Sequence, residues 1–184
     1  MSATTGTTYR WKTSDLDRLP DEPLLRYEIV DGELIVTKRP EWTHQKVIRK
    51  LLVVLDAPLS SLGGEVLPEP GIVWSEEAED NVVPDIAVIL PDRLHLLVGP
   101  KLSGAPNIVI EVVSPGSVET DYVKKRGLYH RAGVQEYWIV DSDKRTVEVW
   151  RFAGNKANSE LYQSGGIIQT TLVPGLAVQV SGLW

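Results

Sequence analysis

Short blocks of alternating or continuous apolar residues run along most of the chain, and two stretches of helical period are set among them. RYEIV and ELIVTK flank Asp31-Gly32, a dipeptide that accepts the positive φ of a two-residue turn, so strands over 26–30 and 33–38 form a hairpin. After Pro40, Val47, Leu51, Val54 and Leu55, with Ile48 and Leu52 beside them, recur as on a helix with a wide buried face, which Gly63-Gly64 ends. EVLPEPGIVWS, PDIAVIL and NIVIEVVS are apolar runs bounded by Pro, Gly and Asn, the pattern of consecutive strands; the last two are apolar on both faces and therefore central. VETDYVKKRGLYHRAG predicts a second helix closed by Gly133. EYWIVD and RTVEVWR follow as strands turning at Asp141-Ser142-Asp143, and a weaker β-prone tail comes last.

At the other end, Thr13 or Ser14 is placed to cap a short helix through Leu19, stopped by Pro20, and the polar, Thr-rich residues 1–12 are expected to be mobile. With no repeat, linker or low-complexity block, the 184 residues are expected to form one domain, 1–184.

Composition narrows the chemistry. The chain has no Cys, so a disulfide frame, a thiolate zinc site and a cysteine nucleophile are all excluded, and a metal would be held by carboxylates or by the three His. That favours a hard cation such as Mg²⁺ or Mn²⁺. A net charge of −6 gives no bulk attraction for nucleic acid, although it leaves local basic patches and a metal bridging to phosphate open. No apolar run approaches the roughly 20 residues of a membrane helix, and the polar start lacks the apolar stretch of a signal peptide, so no membrane partner and a cytoplasmic location are expected.

Two acids stand out by their place on strands. Alternation puts Asp85 on a face with Ala87 and Ile89, and Glu111 on a face with Val109 and Val113. A carboxylate on an apolar face is costly unless a cation, a metal or a set of donors satisfies it, and two such acids suggest a shared partner. The plainer alternatives are that Asp85 opens a strand after Pro84 by bonding nearby amides, and that Glu111 ends a strand where it already reaches water.

The second helix supplies a cation. Val118, Tyr122, Lys125, Tyr129 and Ala132 fall on one stripe, which puts Lys125 mid-way along the face expected to be buried. Asp121, Lys125 and Tyr129 are spaced by four. The alternative is a surface ion pair with a snorkelling lysine, and Lys124, one position round, is the weaker candidate. Two acids and a lysine converging on one point suit metal-assisted phosphodiester hydrolysis.

Glu28 shares a strand face with Val30, and His44 lies in the first turns of the first long helix. Either could join the site, or be a hairpin-edge charge and a capping residue respectively. His95 and His130 have no partner at ligand spacing. Trp138 and Trp150 fall in strands and read as core or dimer contacts before any stacking platform.

YEIVDGEL, HQ opening a helix, VPDIAVIL, IEVVSPGS, Asp121-x3-Lys125-x3-Tyr129, AGVQEYWIVD and VEVWR, taken in that order, resemble the bacterial putative restriction endonuclease family of the PD-(D/E)XK nuclease superfamily. The match runs from Tyr27 to Arg151, with an echo in the closing PGL to LW segment. The resemblance implies an α/β (α+β) fold: a mixed central sheet flanked by helices, with an appended β-hairpin region. It also implies a metal-dependent DNA endonuclease using Mg²⁺ or Mn²⁺, with Asp85 and Glu111 as metal ligands, Glu28 as an accessory acid and ligand, Lys125 as catalytic lysine, His44 near the site and Tyr129 in support.

Val113 occupies the slot two residues after Glu111 where the wider superfamily has its lysine. In the resembled family the following helix provides it, in agreement with the in-facing Lys125. A hydrogen-bonding role for Ser114, just beyond the strand, stays open. A homodimer is expected by analogy, since two related sites suit two strands of a duplex. The rival readings are a nuclease-fold binding or dimerisation module without turnover and a carboxylate-pair glycosidase, in which Lys125 has no evident task.

Overall fold

The computed structural model describes residues 9–38 and 41–184. Strands β1 (Leu25–Val30) and β2 (Glu33–Lys38) form the expected hairpin, pairing Tyr27 with Val36 and Glu28 with Ile35. Its turn residues Asp31 and Gly32 have φ of 52° and 72°, the left-handed values that select this dipeptide.

The hairpin is the edge of a larger sheet. β1 pairs with β5 (Asn81–Val82), followed by β4 (Ile72–Val73), β8 (Lys101–Ser103) and β7 (Leu97–Val98), giving the order β2-β1-β5-β4-β8-β7. The region appended to the central sheet is thus six-stranded. Strands of two or three residues are too short to show a period of two in the sequence.

The second sheet contains the two runs read as central. Its order is β12 (Lys156–Tyr162), β11 (Thr146–Ala153), β10 (Glu136–Asp141), β9 (Ile108–Val113), β6 (Ile86–Ile89) and β3 (Glu65–Pro68). β9 and β10 run parallel and the other pairs antiparallel, so the sheet is mixed. The tail adds a small ladder, β13 (Ile167–Ile168) with β14 (Val178–Gln179), and a closing 3-10 turn, Val180–Leu183.

Alternation along β9 splits the interior into two layers. Ile108, Ile110 and Val112 pack with Val47, Ile48, Leu51, Leu55 and Leu59 of α1 (Trp42–Leu62), and the tail's Val173, Val178 and Leu183 complete that layer. Val109 and Val113 join Leu128 and Tyr129 of α2 (Arg126–Ala132), together with Val30 and Val82 of the first sheet. Glu111 belongs to this second face, between the two sheets.

Four local expectations change. Val54 is not in the buried line of α1 but on its flank, 36% exposed. The second helix contains a π-helical segment, Thr120–Lys125, before α2. Its wider i→i+5 turn shifts the stripe, so Asp121, Lys125, Leu128 and Tyr129 point inward while Val118 is exposed. The short early helix is a 3-10 turn, Thr13–Arg18; its cap residue is Lys12, whose N–H donates to Asp15 Oδ2 at 3.0 Å, in place of Thr13 or Ser14. Residues 9–12, expected to be mobile, are tied down. Trp11 N–H donates to Gly32 O at 2.9 Å, and Tyr9 OH donates to Asp15 Oδ2 at 2.8 Å while its ring meets Trp11 edge-on. Residues 1–8 of that stretch lie outside the described residues.

Trp138 is fully buried in the α1 layer, its Nε1–H donating to Glu136 Oε2 at 2.9 Å, and Trp150 packs beneath the Arg126 guanidinium. Among the described residues no helix is long and apolar enough to cross a membrane.

Candidate active site

Side chains from both sheets, from α1 and from the π turn meet in one place. Glu28 comes from β1, His44 from the first turn of α1, Asp85 from the residue before β6, Glu111 from the middle of β9, and Asp121 and Lys125 from the π turn. They line a cavity of about 50 Å³, together with Arg26, Ser114 and Ser117. A groove of about 430 Å³ shares Thr37, Lys38, His44 and Ser114 with it and forms the approach.

Lys125 is the hub, only 3% exposed. Its Nζ lies 2.9 Å from Glu28 Oε1, 2.9 Å from Glu111 Oε1 and 3.9 Å from Asp121 Oδ1. Burial alone would lower the pKa of this ammonium, but the carboxylates of Glu111, Glu28 and Asp121 more than reverse that and raise it. It is therefore a fixed positive charge. Tyr129 OH donates to Glu111 Oε1 at 3.0 Å; burial first, and then the Glu111 charge, push its own pKa well up, so it is a neutral donor.

Asp85 is held differently. Val112 N–H donates to its Oδ2 at 2.7 Å, His44 Nε2 lies 3.0 Å from the same oxygen, and Arg26 Nη1 is 3.5 Å from Oδ1. Burial would raise its pKa, yet His44, the Val112 amide and Lys125 together bring it below the usual carboxylate value. Glu111 goes the other way. Burial pushes it well up, and the charges of Asp85, Asp121 and Glu28 add to this against Lys125. The backbone of one acid supports the other, since Asp85 N–H donates to Glu111 Oε2 at 3.3 Å.

Four buried carboxylates, Glu28, Asp85, Glu111 and Asp121, thus face two cations largely withdrawn from solvent, Arg26 and Lys125, a formal surplus of two negative charges among these groups; Lys38, which also lines the cavity, is itself exposed. A surplus of this size, presented entirely by oxygen, matches a hard divalent cation. Among the described residues no three His, Asp or Glu side chains already form a ligand set, so Asp85 and Glu111 would hold such an ion with water completing its shell, the ordinary habit of magnesium. Glu28 Oε1 is taken up by Lys125 and by the Val83 N–H at 2.8 Å, which makes its evident task the lysine's.

The profile of the family described as Uma2, putative restriction endonuclease, matches residues 13–181. The chain belongs to that family. The Uma2 assignment agrees with the order of motifs read from the sequence, and the match spans both sheets and every cavity residue. Among solved structures, the chain is similar to a putative nuclease belonging to DUF820 from Anabaena variabilis, with a TM-score of 0.77, 19% identity, and coverage of 94% of this chain and 97% of that one. At that identity the likeness establishes the fold. No curated protein matches.

Three cavity residues have no site role in the sequence reading. Arg26, two residues before Glu28 on β1, shares its strand face and is mostly buried, spanning Asp85, Glu69 and Val83 O. Asp121 has the helix spacing of a partner for Lys125, and the structure buries the two side by side. Ser117 closes a turn with Ser114, whose Oγ donates to Ser117 Oγ at 3.1 Å. A Ser-Pro-Gly-Ser stretch between a strand and a helix was the available signal for that turn.

Asp121 carries a test of this electrostatic picture. Burial, with Glu28 and Asp85 adding to it against Lys125 and Ser117, raises its pKa from 3.8 to about 6. A carboxyl whose folded value is raised contributes stability that is complete below the unfolded value near 3.8 and is lost as pH rises through about 6. The metal-free protein is therefore expected to lose on the order of 3 kcal/mol through this group between about pH 4 and pH 7. Thermal unfolding against pH in EDTA, with Asp121→Asn flattening the fall, measures it.

Proposed function

We propose that this protein is a metal-dependent DNA endonuclease that hydrolyses phosphodiester bonds at the Asp85–Glu111–Lys125 cavity. The observation that carries the reading is the convergence of three buried carboxylates, Glu28, Glu111 and Asp121, on Lys125, with Asp85 a fourth in the same cavity. Uma2 family membership gives the reaction class its direction.

In this reading Asp85 and Glu111 bind the divalent ion, Mg²⁺ or Mn²⁺. When bound, the ion lowers the pKa of a water and polarises the phosphoryl oxygen. The chain's own groups do the positioning. Val112 N–H and His44 fix Asp85, while Tyr129 and Lys125 fix Glu111, so neither acid has to reorganise. The Lys125 ammonium offsets the negative charge that grows on the phosphoryl group, in a space where low dielectric makes that charge count. Glu28 holds the lysine from the far side.

The glycosidase reading gains nothing from this arrangement, because a lysine lies beside the acids and the two strand tryptophans are engaged in packing. The decisive experiment incubates purified protein with supercoiled plasmid plus Mg²⁺ or Mn²⁺, beside Asp85→Asn and an EDTA control. Nicking or linearisation is expected, abolished by EDTA and reduced at least about a hundredfold by Asp85→Asn, since even residues behind a metal ligand are worth 10- to 100-fold. Cleavage indifferent to both would overturn the assignment; no cleavage and no metal binding would favour the module without turnover.

A further inference from the structure

Helix α1 supports the site with His44 near its start, and its opposite face carries a pattern that the fold itself does not use. The buried line runs through Val47, Ile48, Leu51, Leu55 and Leu59. At about 100° per residue the centre of the solvent face falls on Val53, which is 67% exposed. Arg49, four residues before, and Asp56, three after, share its stripe and are exposed.

Elsewhere on the surface, opposite charges have found one another, as in Arg10 with Glu79, Lys12 with Glu77 and Arg131 with Asp80. Among the described residues neither Arg49 nor Asp56 enters an ion pair. Separated by seven residues, or about 10 Å of helix, they cannot reach each other. α1 also stands as a ridge between two apolar-walled grooves. One, of about 270 Å³, is bounded by Val53, Val54, Ala177 and Leu183; the other, of about 420 Å³, by Leu52, Val53, Val66 and Pro68.

We propose that this face docks a second copy of the chain, α1 against α1 in antiparallel orientation, with the two-fold axis at Val53. The sequence of base, apolar residue and acid along the stripe is what a two-fold demands of itself. Arg49 lies about 6 Å from Val53 along the axis and Asp56 about 4.5 Å on the other side. Reversing one helix therefore brings Arg49 to within about 1.5 Å, along the axis, of the partner's Asp56, and does so twice. Both residues fall on the same side of Val53 around the helix, as a two-fold perpendicular to the helices requires. The two valines meet at the centre, and the grooves leave room for flanking side chains at a helix separation of about 8–10 Å.

The inference is independent of the endonuclease reading. It fixes where the two cavities would lie. His44 is nine residues from Val53, so the sites sit at opposite ends of the helix pair, about 27 Å apart along its axis.

Sedimentation equilibrium of the full chain from 1 to 100 µM in about 0.15 M salt tests the interface. The wild type is expected to dimerise. Arg49→Glu or Asp56→Arg alone opposes like charges at both contacts and weakens the dimer about tenfold or more, and the double variant Arg49→Glu/Asp56→Arg restores it to within about threefold. Val53→Asp, which puts two charges on the axis, yields monomer. All of these positions are exposed, and unchanged circular dichroism confirms the fold. A wild type that stays monomeric at 100 µM, a dimer indifferent to the single reversals, or a double variant no tighter than the singles would each overturn the proposal.

Discussion

Lys125→Met is expected to abolish cleavage and to destabilise the protein more than any other single change in the site. Methionine keeps the length and apolar stem of the side chain and removes the ammonium, leaving Glu28 and Glu111 buried with no cation within reach of the oxygens it served. Breaking one side of a buried ion pair in this way costs roughly 3–5 kcal/mol, because the partner charge stays behind. In a chain of this length that lowers the unfolding temperature by about 10 °C. The loss depends on pH in one direction. The Lys125 pKa is raised, so its charge is constant below pH 10, and the penalty shrinks toward acid as Glu111 and Asp121 take up protons.

Activity should fall by at least about a hundredfold, the usual cost of removing one preorganised charge. Assays well below the lowered melting point separate lost chemistry from lost fold. Lys124→Met is the control: that side chain pairs with Glu33 at the surface, and its removal is expected to cost less than about 1 kcal/mol and to spare cleavage. If Lys124→Met were the inactive variant, the π-turn placement of the two lysines would be wrong.

Glu111→Gln is expected to divide the two properties. Glutamine has the same shape, and its carbonyl oxygen can still accept from Lys125 and Tyr129. Its lack of charge removes one of the proposed ion's two ligands, so cleavage should drop at least about a hundredfold. The metal-free fold should not suffer. Burial raises the Glu111 pKa, so the wild type pays for ionising it as pH rises, and the variant does not. In EDTA at pH 8 the variant is expected to melt at or above the wild-type temperature, whereas millimolar Mg²⁺ should raise the melting point of the wild type alone. A variant as unstable as Lys125→Met would mean that the cavity holds no surplus of negative charge. The pattern is the familiar one of a site that spends stability on function.

What the sequence made legible follows the length and regularity of each element. Strand alternation was enough to put Glu111 and Asp85 on an apolar face, because β9 and β6 are continuous apolar runs with one acid each in or beside them. The hairpin announced itself through Asp31-Gly32. The sheet behind it did not: Ile72–Val73 and Asn81–Val82 are two-residue strands whose existence depends on neighbours far along the chain. Lys125 was read as inward from a regular α-helix, and it is inward, though Val118 from the same stripe is not. A helix wheel assumes 3.6 residues per turn, and nothing in TDYVKK signals a wider one. Arg26 was passed over because an arginine on a hairpin strand has no local mark that distinguishes a buried guanidinium from a solvated one. Its position depends on Asp85, 59 residues away in sequence, arriving beside it.

The π turn at Thr120–Lys125 has a consequence of a different kind. It is a property of how many residues lie between the end of β9 and Gly133, not of which residues they are. Losing one residue from it would let the segment wind as ordinary α-helix with Asp121 and Tyr129 seven positions apart, still within about 20° of one face, so the site tolerates that loss. Losing a second would leave them six positions apart, about 120° away from a common face, and one of them would leave the cavity although every side chain of the site was still encoded. The integrity of this centre therefore rests partly on an arithmetic of insertion and deletion that a scan of substitutions would never sample.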